Sequence, residues 1–369
     1  MYQVEKTFYE LTLREGGLTQ ASEIVGPVGD AVQWIDEKFE WEIKLLLSSL
    51  DNHTHGWIKS LDLQWINNPA INAFAYLGVE RCYIGFYVGI ASRLRHVFYA
   101  AALNPFIFEN IPGSWVIEAG APFREWSDTL VNLIAGERLS EHTTAYLEKE
   151  INQPINEQRK KLAMDLYEAA VDFLLLHEIH HFWLGHVYGL DPFRKLGISE
   201  ASVGKNPDAP YTLRRMIETH ADIYASRHAF GLIRILEKKE KMSATTNWWI
   251  AVAILFMTLE PDPVAYDQWD MQQYAHPHLR LASLFNWTQA VISGLEWDDV
   301  EMDSMNDEWI GVLTRIDVLS KGKIAFPLRE MLNEREMYGK EIDEWTKTYQ
   351  VNATVLDEGQ AAMLRFFNK

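Results

Sequence analysis

The sequence predicts an α+β protein that is predominantly helical, on three observations. Apolar residues recur at helical spacing over long stretches, β-leaning sequence is concentrated in residues 70–90, and turn-forming residues cluster between these blocks. In chain order, residues 32–50 read as an amphipathic helix, with Trp34, Ile35, Phe39, Trp41, Ile43 and Leu46 near one face. The polar run 51–56 ends it, and His53 and His55 read as exposed turn residues. Residues 70–90 read as strands and 92–102 as a return to helix. Pro105, Pro112 and Pro122 mark 104–123 as a loop with one short strand at 115–117. A second helical block starts near Trp126, and a long helix is expected over 157–187, closed by Gly189. Residues 193–212 are expected to form a loop beside the cleft that could gate it. The apolar run 248–259 is too short to span a bilayer and is expected to be a core helix. Residues 296–308 are strongly acidic but lack EF-hand spacing, which predicts a solvated connector. Beyond Trp309 a helical extension runs to the apolar end 361–367.

Composition narrows the classes of function. The 369 residues are long enough for one to three domains. A hydrophobic fraction of 48% and 14 Trp exclude a disordered chain. A net charge of −18 argues against a nucleic-acid partner, which needs clustered Lys and Arg, and favours basic or neutral protein surfaces. Cys82 is the one cysteine, so neither an intrachain disulfide nor a Cys-ligated zinc site is available. Residues 1–6 lack a basic segment leading into an apolar run. No signal peptide and no membrane partner are expected, and a cytoplasmic location is.

Within the long helix lies His177-Glu178-Ile179-His180-His181, an instance of H-E-x-x-H. One helical turn separates His177 from His181, so both imidazoles can reach one metal. Glu178 projects about 100° round from His177, where it can take a proton from the water a metal activates without occupying a ligand position. The apolar run 169–176 puts the pair on a buried helix, which favours the neutral imidazoles that bind metal. A catalytic zinc takes three protein ligands and keeps one position open. Leu184 and Val187 break the longer His-containing pattern, so His186 is not expected to be a ligand. Downstream, Glu218 and Asp222 share a helical face, flanked by the small Ala221 and Ala225. Glu218 would complete a His-His-Glu site, and Asp222 could accept the second N–H of a zinc histidine. His180 is assigned to the pocket wall or core and His220 to core or surface, with Tyr224 and His228 as weaker cleft candidates.

This arrangement resembles the H-E-x-x-H…E-x-x-A-D signature of gluzincin metallopeptidases. Asn72-Ala73-Phe74-Ala75 is similar to the strand that, in such families, forms the sheet edge along which a peptide substrate lies. His276-Pro277-His278-Leu279-Arg280 is similar to the element whose His or Arg stabilises the oxyanion, and which of His276, His278 and Arg280 would do so stays open. The nearest resemblance is to Lit-type phage-exclusion peptidases, cytoplasmic enzymes that attack a host translation factor. ImmA/IrrE-type peptidases come second, since no helix-turn-helix is evident. What the resemblance implies is a zincin-like metallopeptidase core with a small mixed β-sheet and helical N- and C-terminal additions. The expected regions are 1–60, 61–295 and 296–369. Function is expected to be zinc-dependent hydrolysis of a peptide bond in a protein substrate, with one Zn²⁺ per chain. The alternative is a zinc-binding regulatory sensor that a phage or host factor activates. Oligomeric state stays open.

Overall fold

The structure, a computed structural model, describes residues 6–49, 60–78, 81–109, 123–152, 156–189, 211–259, 280–281, 283–284 and 299–324. Helices dominate around one small mixed sheet, in agreement with the expected α+β class.

The N-terminal helix α1 (Lys6–Arg14) and the two-residue strand β1 (Leu18–Thr19) precede the long helix α2 (Gly26–Ser49). Then come β2 (Leu61–Ile66), β3 (Ala73–Leu77) and β4 (Cys82–Tyr87), in the spatial order β1-β2-β4-β3. β1 runs antiparallel to β2, β2 parallel to β4, and β3 antiparallel to β4, with Ala73 opposite Phe86 and Leu77 opposite Cys82. β3 is therefore an edge strand among the described residues. Because side chains alternate across a sheet, its two faces carry separate cores. Phe74, Tyr83 and Tyr87 meet Phe8 of α1 on one face, while Ala75, Leu77, Ile84 and Phe86 join the main core on the other. Phe8 stacks on Tyr83 with ring centroids 4.5 Å apart. β2 was not foreseen. Its pairing with β4 is long-range, and its Leu-Asp-Leu-Gln-Trp-Ile pattern alone does not declare a strand.

A π-helical turn (Ile90–Leu94) leads from β4 into α3 (Arg95–Leu103), followed by α4 (Phe123–Ile134) and α5 (Glu141–Asn152). The central element is α6 (Glu157–Trp183). Asn156 caps its start by accepting from the backbone N–H groups of Gln158 and Arg159. Buried Arg159 ties that end to the carbonyls of Ala102 and Phe108. Helix α6 packs against α3, β3, α8 (Tyr211–Ile233) and α9 (Lys238–Leu259), so its second half is buried on nearly every side. It stops at Trp183 rather than running to 187, because Gly185 adopts φ 70°, a left-handed conformation that ends the helix. The short helix α7 (His186–Gly189) follows.

Helix α9 contains the expected core segment, but its apolar part is longer than the sequence reading allowed. Glu240–Leu259 is long and apolar enough to cross a membrane, yet 72% of its most apolar 18-residue window is buried within the protein. The acidic run proves to be mostly helix rather than connector, since 299–308 begin α10 (Asp299–Ser320). Met305 and Trp309 of that helix are buried against the core, and Trp309 stacks on Trp249 of α9. The acidic residues form its outer face, which is why composition masked the helical phase. One hydrophobic cluster runs from Ala31 of α2 through the sheet and α6 to Ile324. The expectations for 51–56, 115–117, 193–210 and everything beyond 324 lie outside the described residues.

Candidate metal centre

Helix α6 turns His177 and His181 towards α8, which presents Glu218 and Asp222 in return. Ala221 and Ala225, both fully buried, are the small residues on α8 beside them. One ligand atom each from His177, His181 and Glu218 falls within 4.8 Å of the others. The two histidine Nε2 atoms are 3.0 Å apart, His177 Nε2 is 3.3 Å from Glu218 Oε2, and His181 Nε2 is 3.7 Å from Glu218 Oε1. Two imidazoles and a carboxylate meeting at one point are a donor set suited to a first-row metal ion.

Charge in the site is arranged for a cation. Burial opposes a charge on His177, but Asp222 and Glu218 overcome it and push its pKa up to about 10. These carboxylates thus favour positive charge at the point where the three donor groups meet. Burial carries His181 down to about 3 despite Glu218. Burial alone would raise both Glu218 and Asp222; His181, His177 and Arg280 hold Glu218 below its ordinary value, and Arg280 and His177 hold Asp222 at about 2. Asp222 Oδ1 is 2.8 Å from His177 Nδ1, off the line of a straight hydrogen bond but close enough for a small turn of the ring to make one, the contact by which a carboxylate orients a histidine ligand.

Glu178 is 5% exposed, and burial pushes its pKa up to about 7, with His177 opposing and Glu218 adding. It lines a cleft of about 480 Å³ together with His177, His181, Glu218 and Arg280. Asn72, Ala73 and Phe74 also line the cleft; Ala75 does not, being buried within the main core. Arg280 is there, its guanidinium paired with Asp222, whereas His276 and His278 lie outside the described residues.

Several neighbours belong elsewhere. His180 Nδ1 is 2.6 Å from the Leu176 carbonyl, and its ring sits among Trp183, Tyr224 and His228, away from the cleft. Tyr224 packs on His220, and His228 Nε2 is 3.6 Å from Glu42, so neither reaches the cleft lining. The sequence reading missed Glu15, Asn68 and Tyr87, which also line the cleft. Tyr87 donates to Glu15 Oε2 at 2.7 Å, and Asn68 Nδ2 to the Glu15 carbonyl at 2.8 Å. Gly16 and Gly17, at φ 120° and 85°, signal the turn that follows Glu15, but nothing in the sequence says where that turn docks.

Residues 118–291 match the family model described as Peptidase U49, so this segment is similar to peptidases of that family. The matched stretch carries His177, Glu178, His181, Glu218, Asp222 and Arg280; the sheet and its cleft wall lie outside it. No curated protein and no solved structure matches the chain.

Proposed function

We propose that the chain is a zinc-dependent endopeptidase that hydrolyses a peptide bond within a protein substrate. The observation that carries this reading is the meeting of His177, His181 and Glu218 in a cleft that they share with Glu178 and the β3 edge. Ligands held tetrahedrally at about 2.0–2.1 Å from zinc stand about 3.3 Å from one another. The separations of 3.0, 3.3 and 3.7 Å, the last two to different oxygens of Glu218, put all three side chains within reach of one such ion. Three protein ligands leave a fourth position for a reactant, whereas structural zinc is normally closed by four. The match to a peptidase family over the ligand-bearing segment supports the same reading.

When bound, zinc supplies a Lewis acid that acidifies water and polarises a carbonyl. The chain's own residues do the remaining work. Glu178 takes the proton and later returns it to the leaving amine. The outer edge of β3 offers backbone N–H and C=O groups to which an extended peptide adds as a strand, with Asn72 and Phe74 beside it. Asp222, clamped by Arg280, keeps His177 turned towards the ligand cluster. The resemblance to Lit-type peptidases supports a host protein as substrate, the cytoplasm as compartment and phage exclusion as role.

The test is cleavage of a peptide library and of host extract by wild-type, chelator-treated and Glu178→Gln protein, with and without extract of phage-infected cells. Cleavage that chelation abolishes, zinc restores and E178Q lacks upholds the reading. Cleavage seen only with infected extract selects the partner-activated form. Zinc-loaded protein inert under every condition contradicts it.

A further inference from the structure

We propose that His186 is the positioning residue of His181, accepting its Nδ1–H and so holding the ring in the tautomer that leaves Nε2 unprotonated beside Glu218. The inference rests on the metal-site reading above. His181 Nδ1 and His186 Nδ1 are 3.1 Å apart, and His186 Nε2 is 3.2 Å from His220 Nδ1. His181 and His186 are 2% and 0% exposed, so water does not compete at their junction.

The direction of this chain follows from imidazole chemistry. A neutral ring has one N–H and one bare nitrogen, so in each close pair one ring donates and the other accepts. A cation at Nε2 of His181 requires that atom to be bare, which puts the proton on Nδ1 and makes His186 Nδ1 the acceptor. His186 then carries its own proton on Nε2 and donates to His220 Nδ1. His220 stands two residues beyond Glu218 on α8, so the relay ties the end of the H-E-x-x-H helix to the helix that carries the third ligand. The two histidine ligands are thus supported differently, His177 by the anionic Asp222 and His181 by a neutral ring.

Local sequence makes the contact possible. Were α6 to continue, His186 would sit about 140° round the helix from His181. Gly185 at φ 70° breaks that phase, and α7 returns His186 to the side of His181. The Leu184-Gly185-His186 string is therefore the sequence signature of a supporting residue, not of a fourth ligand.

The experiment compares His186→Asn, whose Oδ1 takes about the place of Nδ1 and still accepts, with His186→Phe, which fills the space without an acceptor. Zinc affinity is read by competition with a chelating dye, beside thermal unfolding of the metal-free proteins. H186F is expected to lose roughly 10–100-fold in zinc affinity, while H186N stays within about threefold of wild type. Equal affinity of H186F and wild type overturns the inference, as does an equal loss in both variants. Wild type that takes up no zinc is a different result, since it removes the metal site itself and the inference with it. Nitrogen NMR of histidine-labelled, zinc-loaded wild type needs no variant and reads the tautomers directly. Nδ1–H on His181 with Nε2–H on His186 is expected; Nδ1–H on His186 overturns the inference.

Discussion

Arg280 holds Asp222 by both oxygens, Nε donating to Oδ2 and Nη2 to Oδ1, each at 2.7 Å. Asp222 is fully buried, and its Oδ1 also faces His177 Nδ1. One carboxylate thus links a cation to a candidate metal ligand. Removing the guanidinium leaves a buried anion uncompensated, so Arg280→Ala is expected to cost roughly 3–5 kcal/mol of stability. Asp222→Asn, nearly isosteric, is expected to weaken zinc binding about 10–100-fold. Chemical denaturation checks the first and chelator competition the second. An R280A protein as stable as wild type would mean that the pair carries no structural role.

Glu178→Gln keeps the shape of the side chain and removes the base. Turnover is expected to fall by about 10²–10⁴-fold with zinc content unchanged. Metal analysis alongside kinetics checks this. Zinc lost from E178Q would make Glu178 a ligand instead.

Glu42 on α2 is wholly buried, and among the described residues neither of its carboxylate oxygens accepts a hydrogen bond. Burial pushes its pKa up to about 7, with Asp172 adding to the rise and Lys38 opposing it; His228 Nε2 faces it at 3.6 Å. Between the ordinary value of 4.5 and about 7 the folded state binds more protons than the unfolded one, so stability falls as pH rises through that window. At about 1.4 kcal/mol per unit, the loss is on the order of 3 kcal/mol. Asp172, raised to about 6 chiefly by burial, works in the same direction. Glu42→Gln is expected to be more stable than wild type at pH 8 and to flatten the pH profile of unfolding. Lower stability of the variant at pH 8 would contradict this.

Gly89 sits where a Cβ would lie 2.0 Å from the Ala70 carbonyl oxygen and 2.3 Å from that of Pro69. Ala70 lines the cleft, so the crowding falls on the cleft wall. Gly89→Ala is expected to destabilise by about 1–3 kcal/mol and to disturb cleavage. Gly231 on α8 has open space around its Cβ position, and Gly231→Ala is expected to stabilise by about 0.5–1 kcal/mol. Thermal unfolding of the two variants, shifted in opposite directions, checks both.

Helical spacing made much of the site legible. His177 with His181, and Glu218 with Asp222, each lie one turn apart, and a helix fixes such relationships within a few residues. That the two helices face each other followed only from supposing that they share a metal. Contacts that depend on a break in helical phase were hidden, as with His186 behind Gly185. Contacts that depend on long-range pairing were hidden too, as with β2 against β4 and Glu15 against Tyr87. In α10 the acidity of the exposed face concealed the buried positions Met305 and Trp309.

The measurement that bears most directly on the account is zinc content and affinity of purified wild type beside Glu218→Ala. One zinc per chain in the wild type, with affinity lost or greatly weakened in the variant, is the predicted result. Wild-type protein that stays zinc-free after metal supplementation would contradict the His177–His181–Glu218 site, and the proposed peptidase with it.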